Sequence, residues 1–359
     1  MTRYQEVQEQ LRSEPRTWLV TGVAGFIGSH LLEALLHLKQ RVVGLDSFAT
    51  GSRRNLADVA ARVGQASYAN FRFLEGDIRD PKACAEAMQG VELVLHEAAL
   101  ASVPRSMADP ASTLASNVSG FANVLLAAHA AGAKRVVYAS SSSVYGDDTS
   151  DMKVEPKLGR PLSPYATSKL VNEIYADTFR RTHGIDSVGL RYFNVFGPRQ
   201  DPHGAYAAVI PRWTEQLLAG EPCVVFGDGS ASRDFCFTDN VVQANLLAAC
   251  TPEAAGGVFN IGCGMRTTLL DLFSAIRQRA AELRPAAAHS TLRHEAPRAG
   301  DVQHSLADIE HARRALEYQP AYNLARGLDQ TVPWYSKRAS HSLAASGTTN
   351  ATRSEQESP

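Results

Sequence analysis

Tyr165 and Lys169 stand four residues apart in Y-A-T-S-K, inside a stretch of helical spacing that begins after the turn region 161–164. Residues at i and i+4 share a helix face, so this spacing sets an ammonium beside a phenol. A neighbouring cation favours the phenolate. Bringing a tyrosine from its ordinary value of ~10 to ~7 takes roughly 4 kcal/mol of differential stabilisation, part of which a lysine can supply. A phenolate near neutral pH is a general base for a hydroxyl proton. Four serines, Ser140, Ser141, Ser142 and Ser143, follow the apolar run K-R-V-V-Y-A and precede V-Y-G. A hydroxyl at the carboxyl end of a parallel strand lies where open α/β sheets bind ligands, and it can hold a substrate hydroxyl or ketone. At least two of the four must be turn residues.

A second constellation points to a dinucleotide. Gly22, Gly25 and Gly28 occur in V-T-G-V-A-G-F-I-G-S-H, straight after the apolar run 17–22 and at the head of the amphipathic stretch 26–38. Glycines there allow a tight turn and let backbone N–H groups approach a pyrophosphate, to which the helix N-terminus adds partial positive charge. A glycine trio by itself is a weak signal; the strand before it and the helix after it supply the context the motif needs. Asp46 closes the next apolar run, 18 residues after Gly28. A carboxylate at that point accepts from a ribose 2′-OH and repels a 2′-phosphate, which favours NAD over NADP. Arg53 and Arg54 follow in the loop and keep NADP open at this point. Asp77, at the end of the next run, could serve the adenine end.

The elements that must position these groups are strands alternating with helices. Strand candidates are 17–22, 41–46, 71–77, 91–98, 134–141 and 186–193, with helical stretches such as 26–38, 113–131 and 164–182 between them. That alternation predicts an α/β fold, a Rossmann-type doubly wound parallel sheet covered on both faces. Residues 1–15 are polar and predict a short helix or arm outside the core. After about Asn194 the alternation loosens. Short strands at 223–229 and 233–238 around a turn, a helix near 239–250, a strand at 258–262, and helices near 267–283 and 306–317 predict a smaller C-terminal α/β lobe. The resulting division is 16–194 for the first domain and mainly 195–335 for the lobe, with threading of the lobe back onto the sheet left open. Residues 336–359 lack aromatics and are rich in Ser, Thr and Ala, the composition of a disordered tail.

Composition narrows the class. Of 359 residues 44% are hydrophobic and 20% charged, enough apolar material for a large core. Lys and Arg number 36 against 37 acidic residues, which gives no electrostatic case for nucleic acid or an anionic membrane. Five scattered cysteines without C-x-x-C read as reduced thiols rather than as a disulfide framework or metal site. No apolar run approaches the ~18 residues of a membrane span, and no signal-peptide core is present, so the expectation is a soluble cytoplasmic protein.

Together, T-G-V-A-G-F-I-G, S-S-S-V-Y-G, Y-A-T-S-K and R-Y-F-N-V-F-G-P-R resemble the extended short-chain dehydrogenase/reductase family, and within it the nucleotide-sugar epimerases. The resemblance runs from about residue 16 to 335, with the motifs in the family's order. It is strongest to the bacterial UDP-N-acetylglucosamine 4-epimerases of surface-polysaccharide synthesis, through A-S-V-P-R-S (101–106), G-A-Y-A-A-V-I-P-R-W (204–213) and G-D-V-Q-H-S-L-A-D (300–308). By this resemblance Tyr165 is the general base and acid. Lys169 orients the nicotinamide ribose and lowers the phenol's pKa, and Ser141 or Ser142 holds the sugar's O4. Cofactor contacts carry over to Gly22, Gly25, Phe26, Ile27, Gly28, Asp46, Asp77, Ile78, Tyr165, Lys169 and Val195.

The substrate contacts implied are more widely scattered. Arg233 and Arg298 suit a diphosphate, since guanidinium forks pair bidentately with phosphate oxygens. Asp301 resembles the ribose or uracil partner, and Asn194, Val209, Trp213 and Val225 match other positions of the substrate lobe. Ser305 matches the position where a bulky aromatic excludes an N-acetyl group and a small residue admits it. Ala101, Ser102, Gln200 and Ala208 resemble further walls of that pocket. The resemblance therefore implies conversion of a UDP-N-acetylhexosamine at C4 with NAD, in a homodimer packed through helices in 113–131 and 164–182. Epimerases of UDP-glucose or of a uronate remain open. A 4,6-dehydratase or decarboxylase would carry an acidic residue in the segment that here reads Ser141-Ser142-Ser143-Val144-Tyr145-Gly146. A non-catalytic NAD-binding regulator would lack Tyr165 or Lys169.

Overall fold

A computed structural model describes residues 1–203, 207–297 and 303–351, those from 339 onward by backbone alone. The chain opens with helix α1 (Arg3–Ser13), started by a reciprocal cap between Thr2 and Gln5. Strands and helices then alternate: β1 (Thr17–Thr21), α2 (Phe26–His37), β2 (Arg41–Asp46), α3 (Arg53–Tyr68), β3 (Phe71–Glu75), α4 (Pro81–Ala87) and β4 (Leu93–His96). Three helical pieces follow, α5 (Val103–Ala108), α6 (Pro110–Leu114) and α7 (Gly120–Ala131), with a π-turn at Ala115–Ser119 between the last two. Next come β5 (Arg135–Ser141), β6 (Met152–Lys153), α8 (Pro164–His183), β7 (Ser187–Tyr192) and β8 (Val195–Phe196). The remainder is α9 (Val209–Ala219), β9 (Cys223–Phe226), β10 (Ser232–Arg233), β11 (Cys236–Phe237), α10 (Thr238–Cys250), β12 (Val258–Ile261), β13 (Thr267–Thr268), α11 (Leu269–Leu283), β14 (Leu292–Glu295), β15 (His304–Ala307), α12 (Glu310–Leu316) and α13 (Leu324–Ala351).

These elements form two compact units, and the chain passes between them repeatedly. One comprises Met1–Val195, Ser232–Arg266 and Val302–Asn323; the other Phe196–Ala231, Thr267–Asp301 and Leu324–Pro359. A single boundary at residue 194 therefore does not describe the division, although 194–195 is where the chain first leaves the larger unit.

The larger unit is built on a seven-stranded parallel sheet in the order β12-β7-β5-β4-β1-β2-β3. The order reverses between β4 and β1, which puts the ligand crevice of such a sheet at the carboxyl ends of those two strands. β1, β4 and β5 are buried almost throughout, as strands covered by helices on both faces must be. Its last strand, β12, comes from residues far beyond the first pass of the chain. β10, β15 and β6 pair in parallel in the same unit.

Several expectations need correction. α1 does not lie outside the core. Val7 and Leu11, four residues apart, are fully buried in it, and Gln40 Nε2 donates to the Leu11 carbonyl at 2.6 Å. A stripe of Tyr4, Val7 and Leu11 in an otherwise polar helix leaves little compositional trace. The stretch 113–131 is helical throughout, as expected, but carries a π-turn at Ala115–Ser119, where the Asn117 amide is tied to Leu100 N at 2.8 Å and to Ser168 Oγ at 3.0 Å. The strands in 223–238 do not pair around a turn; β9 pairs with β14 and β10 with β15. The predicted helix at 306–317 begins as β15. The final helix runs to Ala351, well into the stretch read as a disordered tail, and residues 352–359 lie outside the described residues.

In the smaller unit, α9, α11 and α13 pack together beside the β9–β14 pair. Trp213 anchors it, edge-on to Phe273 with ring centres 5.9 Å apart, its indole N–H donated to the Val224 carbonyl at 3.0 Å.

Candidate active site

The glycine loop is shaped by contacts that no side chain could share. A Cβ on Gly28 would stand 2.1 Å from the Gly22 carbonyl oxygen, and one on Gly22, at φ +68°, would stand 2.8 Å from Ala98 N. Gly25 is the N-cap of α2 and offers no side chain to its first turn. The backbone donors of Phe26 and Ile27, both half-buried, are left to an incoming anion at the positive end of a twelve-residue helix. Asp46 closes β2 with its carboxylate against the same loop, accepting from Ala24 N at 2.9 Å and Phe48 N at 2.8 Å. Burial pushes its pKa up, and these two N–H groups oppose the rise. Arg53, one of the cations that kept NADP open, is committed to Glu75 at 2.7 Å and lies over the Phe48 ring. Asp77 is held low by a two-pronged bond from Arg79, and Ile78 is buried against Gly120. The loop, helix terminus and carboxylate fit a dinucleotide that lacks a 2′-phosphate.

Across the reversal point, β5 delivers Ser140 and Ser141, and the helix N-capped by Ser163 delivers Tyr165 and Lys169. Lys169 is buried and donates to the Ala139 carbonyl at 2.7 Å. The Ser141 hydroxyl lies near enough to the Tyr165 phenol to lower its pKa, and accepts from Ser143 N at 3.2 Å and Ser143 Oγ at 2.9 Å. Ser142 begins the 3-10 turn that follows. Of the two serines the sequence left open, Ser141 is the one that acts on Tyr165. The net effect of the chain's own groups is to raise the phenol: burial raises its pKa, Ser141 draws it down, and the charge of Glu97 raises it further. Burial lowers Lys169 to about 8, against the pull of Glu97 and Glu173.

A buried polar network supports this end of the sheet, and the sequence reading passed over it. Glu173, two turns beyond Tyr165 on α8, accepts from Ser140 Oγ at 2.5 Å and from Arg191 at 2.9 and 2.8 Å. Arg191 also donates to the Tyr145 hydroxyl at 3.0 Å, which in turn donates to Asn260 Oδ1 at 2.6 Å. An arginine inside the otherwise apolar run S-V-G-L-R-Y was the available signal, since a charge in a doubly covered strand needs a buried partner. Asp234 was likewise missed. Its buried carboxylate accepts from the backbone of Cys263 and Gly264 at 2.9 Å each and from Ala307 at 3.3 Å, and burial pushes it up to about 6.

The remaining expected residues divide between the units. In the larger one, Arg233 and Ser305 are register partners across the β10–β15 pair, which puts their side chains on one face. Asn194, at φ +30°, donates to the Asp234 carbonyl at 3.2 Å, and Val195 follows it half-buried. Ser102 caps α5 by accepting from Arg105 N at 3.2 Å, with Ala101 exposed before it. In the smaller unit, Ala208 caps α9 and is exposed, Val209 opens that helix, and the Gln200 carbonyl accepts from the Tyr335 hydroxyl. Trp213 and Val225 are buried in that unit's core, and the Trp213 donor is already used. Arg298 and Asp301 lie outside the described residues. Among the described residues no group of His, Cys, Asp and Glu could hold a metal, and no helix is long and apolar enough to cross a membrane.

Comparison with known proteins agrees with this geometry. The NAD dependent epimerase/dehydratase family matches residues 18–262. A UDP-glucose 4-epimerase of Mycolicibacterium smegmatis is 37% identical over 89% of this chain and 99% of its own length. Two solved structures superpose closely. A UDP-N-acetylglucosamine 4-epimerase from Methanobrevibacter ruminantium in complex with UDP-N-acetylmuramic acid has a TM-score of 0.82 at 33% identity, over 90% of this chain and 99% of that one. A UDP-glucose 4-epimerase of Thermus thermophilus in complex with NAD has a TM-score of 0.78 at 32% identity, over 89% and 98%. With its glycine loop, Asp46 and the Tyr165–Lys169 pair on one Rossmann-type sheet, the chain belongs to the NAD dependent epimerase/dehydratase family, and NAD is its cofactor.

Proposed function

We propose that the protein inverts C4 of a UDP-N-acetylhexosamine, interconverting UDP-GlcNAc and UDP-GalNAc for surface-polysaccharide synthesis. The observation that carries the reading is the placement of Ser141, Tyr165 and Lys169 at the carboxyl end of β5, where Lys169 donates to the Ala139 carbonyl and Ser141 acts on the Tyr165 phenol. The pairing of Arg233 with Ser305 supports the substrate class: a guanidinium for the diphosphate stands beside a small residue at the position that, by the family resemblance, faces the N-acetyl group. Gln200, Ala208, Val209, Arg298 and Asp301 are proposed to complete the nucleotide-sugar contacts.

In this reading Ser141 holds O4 of the sugar while the Tyr165 phenolate removes its proton. Bound NAD, held by the glycine loop, Asp46 and Lys169, would supply the acceptor and donor for the C4 hydride. Lys169 keeps an ammonium beside the phenol and holds the cofactor's ribose. Tyr165 gives the proton back to O4 after the 4-keto sugar has turned its other face, so no proton or electron is consumed overall. The burial that raises the free phenol favours this second, donating step. Tyr165→Phe should lower kcat about 10²- to 10⁴-fold with the fold intact; near-normal turnover would overturn the role.

Substrate choice is tested with the purified protein and no added NAD, by following UDP-GlcNAc, UDP-glucose and UDP-glucuronate through the anomeric proton signals of their products. UDP-GalNAc forming fastest supports the N-acetyl reading. Faster turnover of UDP-glucose or UDP-glucuronate, the substrates named for several relatives, would keep the mechanism and reject the Ser305 argument. A homodimer is also proposed, because Leu114, Leu126, Ile174 and Tyr175 on α6, α7 and α8 expose large apolar surface. A light-scattering mass near that of one chain would reject it.

A further inference from the structure

Glu97 follows β4 directly, at the point where the sheet order reverses. Its N–H donates to the Thr21 carbonyl at 3.2 Å, and the backbone of 97–98 is what a Cβ on Gly22 would strike. Its side chain reaches toward the other half of the sheet. Tyr192, the last residue of β7, donates to Glu97 Oε1 at 2.8 Å, and Asn245 of α10 donates to the Tyr192 oxygen at 2.8 Å. Tyr192 is the register partner of Ser141, and Ala139, two residues before Ser141, carries the carbonyl that holds Lys169. The residue is therefore held at both ends, its backbone by Thr21 beside the glycine loop and its carboxyl group by Tyr192, which Asn245 holds in turn.

The charged and titratable groups that face it are few. Tyr165 and Lys169 come from α8, Tyr192 from β7 with Cys236 of β11 beyond it, and His96 from β4. His96 is kept neutral, pushed down to about 3 by burial and the Lys169 charge, with Nδ1 paired to Thr21 Oγ1 at 2.8 Å. Burial pushes Glu97 up to about 7, against the Tyr192 bond and the Lys169 charge.

We infer that Glu97 is a positioning residue for the Tyr165–Lys169 pair, a carboxyl group anchored through Tyr192 to Asn245 whose charge decides how readily the phenol releases its proton. The inference rests on the reading of Tyr165 as general base and deepens it. When Glu97 is ionised it holds the Lys169 ammonium charged and favours the protonated phenol, the form that must donate to O4. When it is protonated, the phenol ionises more easily.

The test uses the NAD-loaded protein with tyrosines labelled at Cζ, the Tyr165 signal being assigned by its loss in Tyr165→Phe. In Glu97→Gln the phenol midpoint should fall by on the order of one pH unit, and the acid limb of kcat/KM should move with it. Glu97→Asp, which keeps the charge, should return both toward the parent values. An unchanged or raised midpoint in Glu97→Gln, with activity lost equally at every pH, would overturn the inference. Should Glu97→Gln not fold, the parent protein decides: its Tyr165 signal should step near neutral pH as Glu97 ionises, and a flat response overturns the inference. Normal turnover by Tyr165→Phe would defeat the general-base reading, while the midpoint shift separately reports whether Glu97 controls the phenol.

Discussion

The two halves of the large sheet hold their functional groups by different means. Around β1 and β2 the geometry belongs to the backbone: Gly22 and Gly28 leave no room for a Cβ, and Asp46 is fixed by two N–H groups. Around β5 and β7 it belongs to buried side chains, with Ser140, Glu173, Arg191, Tyr145 and Asn260 joined in one chain of bonds. A cofactor cradle needs close approach and donors that cannot rotate, which glycines and a helix terminus supply. A proton-transfer site needs groups whose charge can change, and such groups must be buried with partners to hold a defined state. The first half thus tolerates almost no added volume, and the second almost no lost partner.

The largest test of this contrast is Glu173→Ala. It would leave the buried Arg191 guanidinium without its counter-charge and Ser140 without its acceptor, at a cost of about 3–5 kcal/mol in urea unfolding. A loss below ~1 kcal/mol would show that the network is dispensable. Gly28→Ala should come next, at about 1–3 kcal/mol, because the backbone of the turn must shift to admit the methyl group. Its sharper readout is the cofactor: the purified variant should lose its NAD, while Glu173→Ala at low temperature should keep it. Full retention of NAD by Gly28→Ala would break the comparison on the cradle side. The smallest effect is expected from Arg53→Ala. That pair with Glu75 is exposed on both sides, so less than ~1 kcal/mol should be lost and preference for NAD over NADP kept.

Legibility in the sequence followed the same divide. The cradle could be read because a backbone requirement writes itself as residue type: glycine where a Cβ collides, a carboxylate at a strand end, an apolar run before and a helix after. Tyr165 and Lys169 could be read because one helix fixes their spacing. The alternation of strands and helices likewise predicted a doubly wound parallel sheet, since crossovers between parallel strands leave few other solutions. α1 escaped because its contact with the core rests on Tyr4, Val7 and Leu11, three residues in an eleven-residue helix. The π-turn around Asn117 escaped because its amide partners, Leu100 and Ser168, lie elsewhere in the chain, one of them 51 residues away.

The sequence by itself therefore determined the fold class, the cradle, and the Tyr165–Lys169 pair, all properties of residue type and short-range period. Only the tertiary structure decided that Ser141 is the serine acting on Tyr165, that Arg233 and Ser305 are strand partners, and that Arg53 is spent on Glu75. It also decided the surroundings of Glu97, which depend on Tyr192 and Asn245, 95 and 148 residues further along the chain. The physical reason is that a charge's energy is set by burial and by partners that arrive from other elements, and sequence spacing carries no record of either.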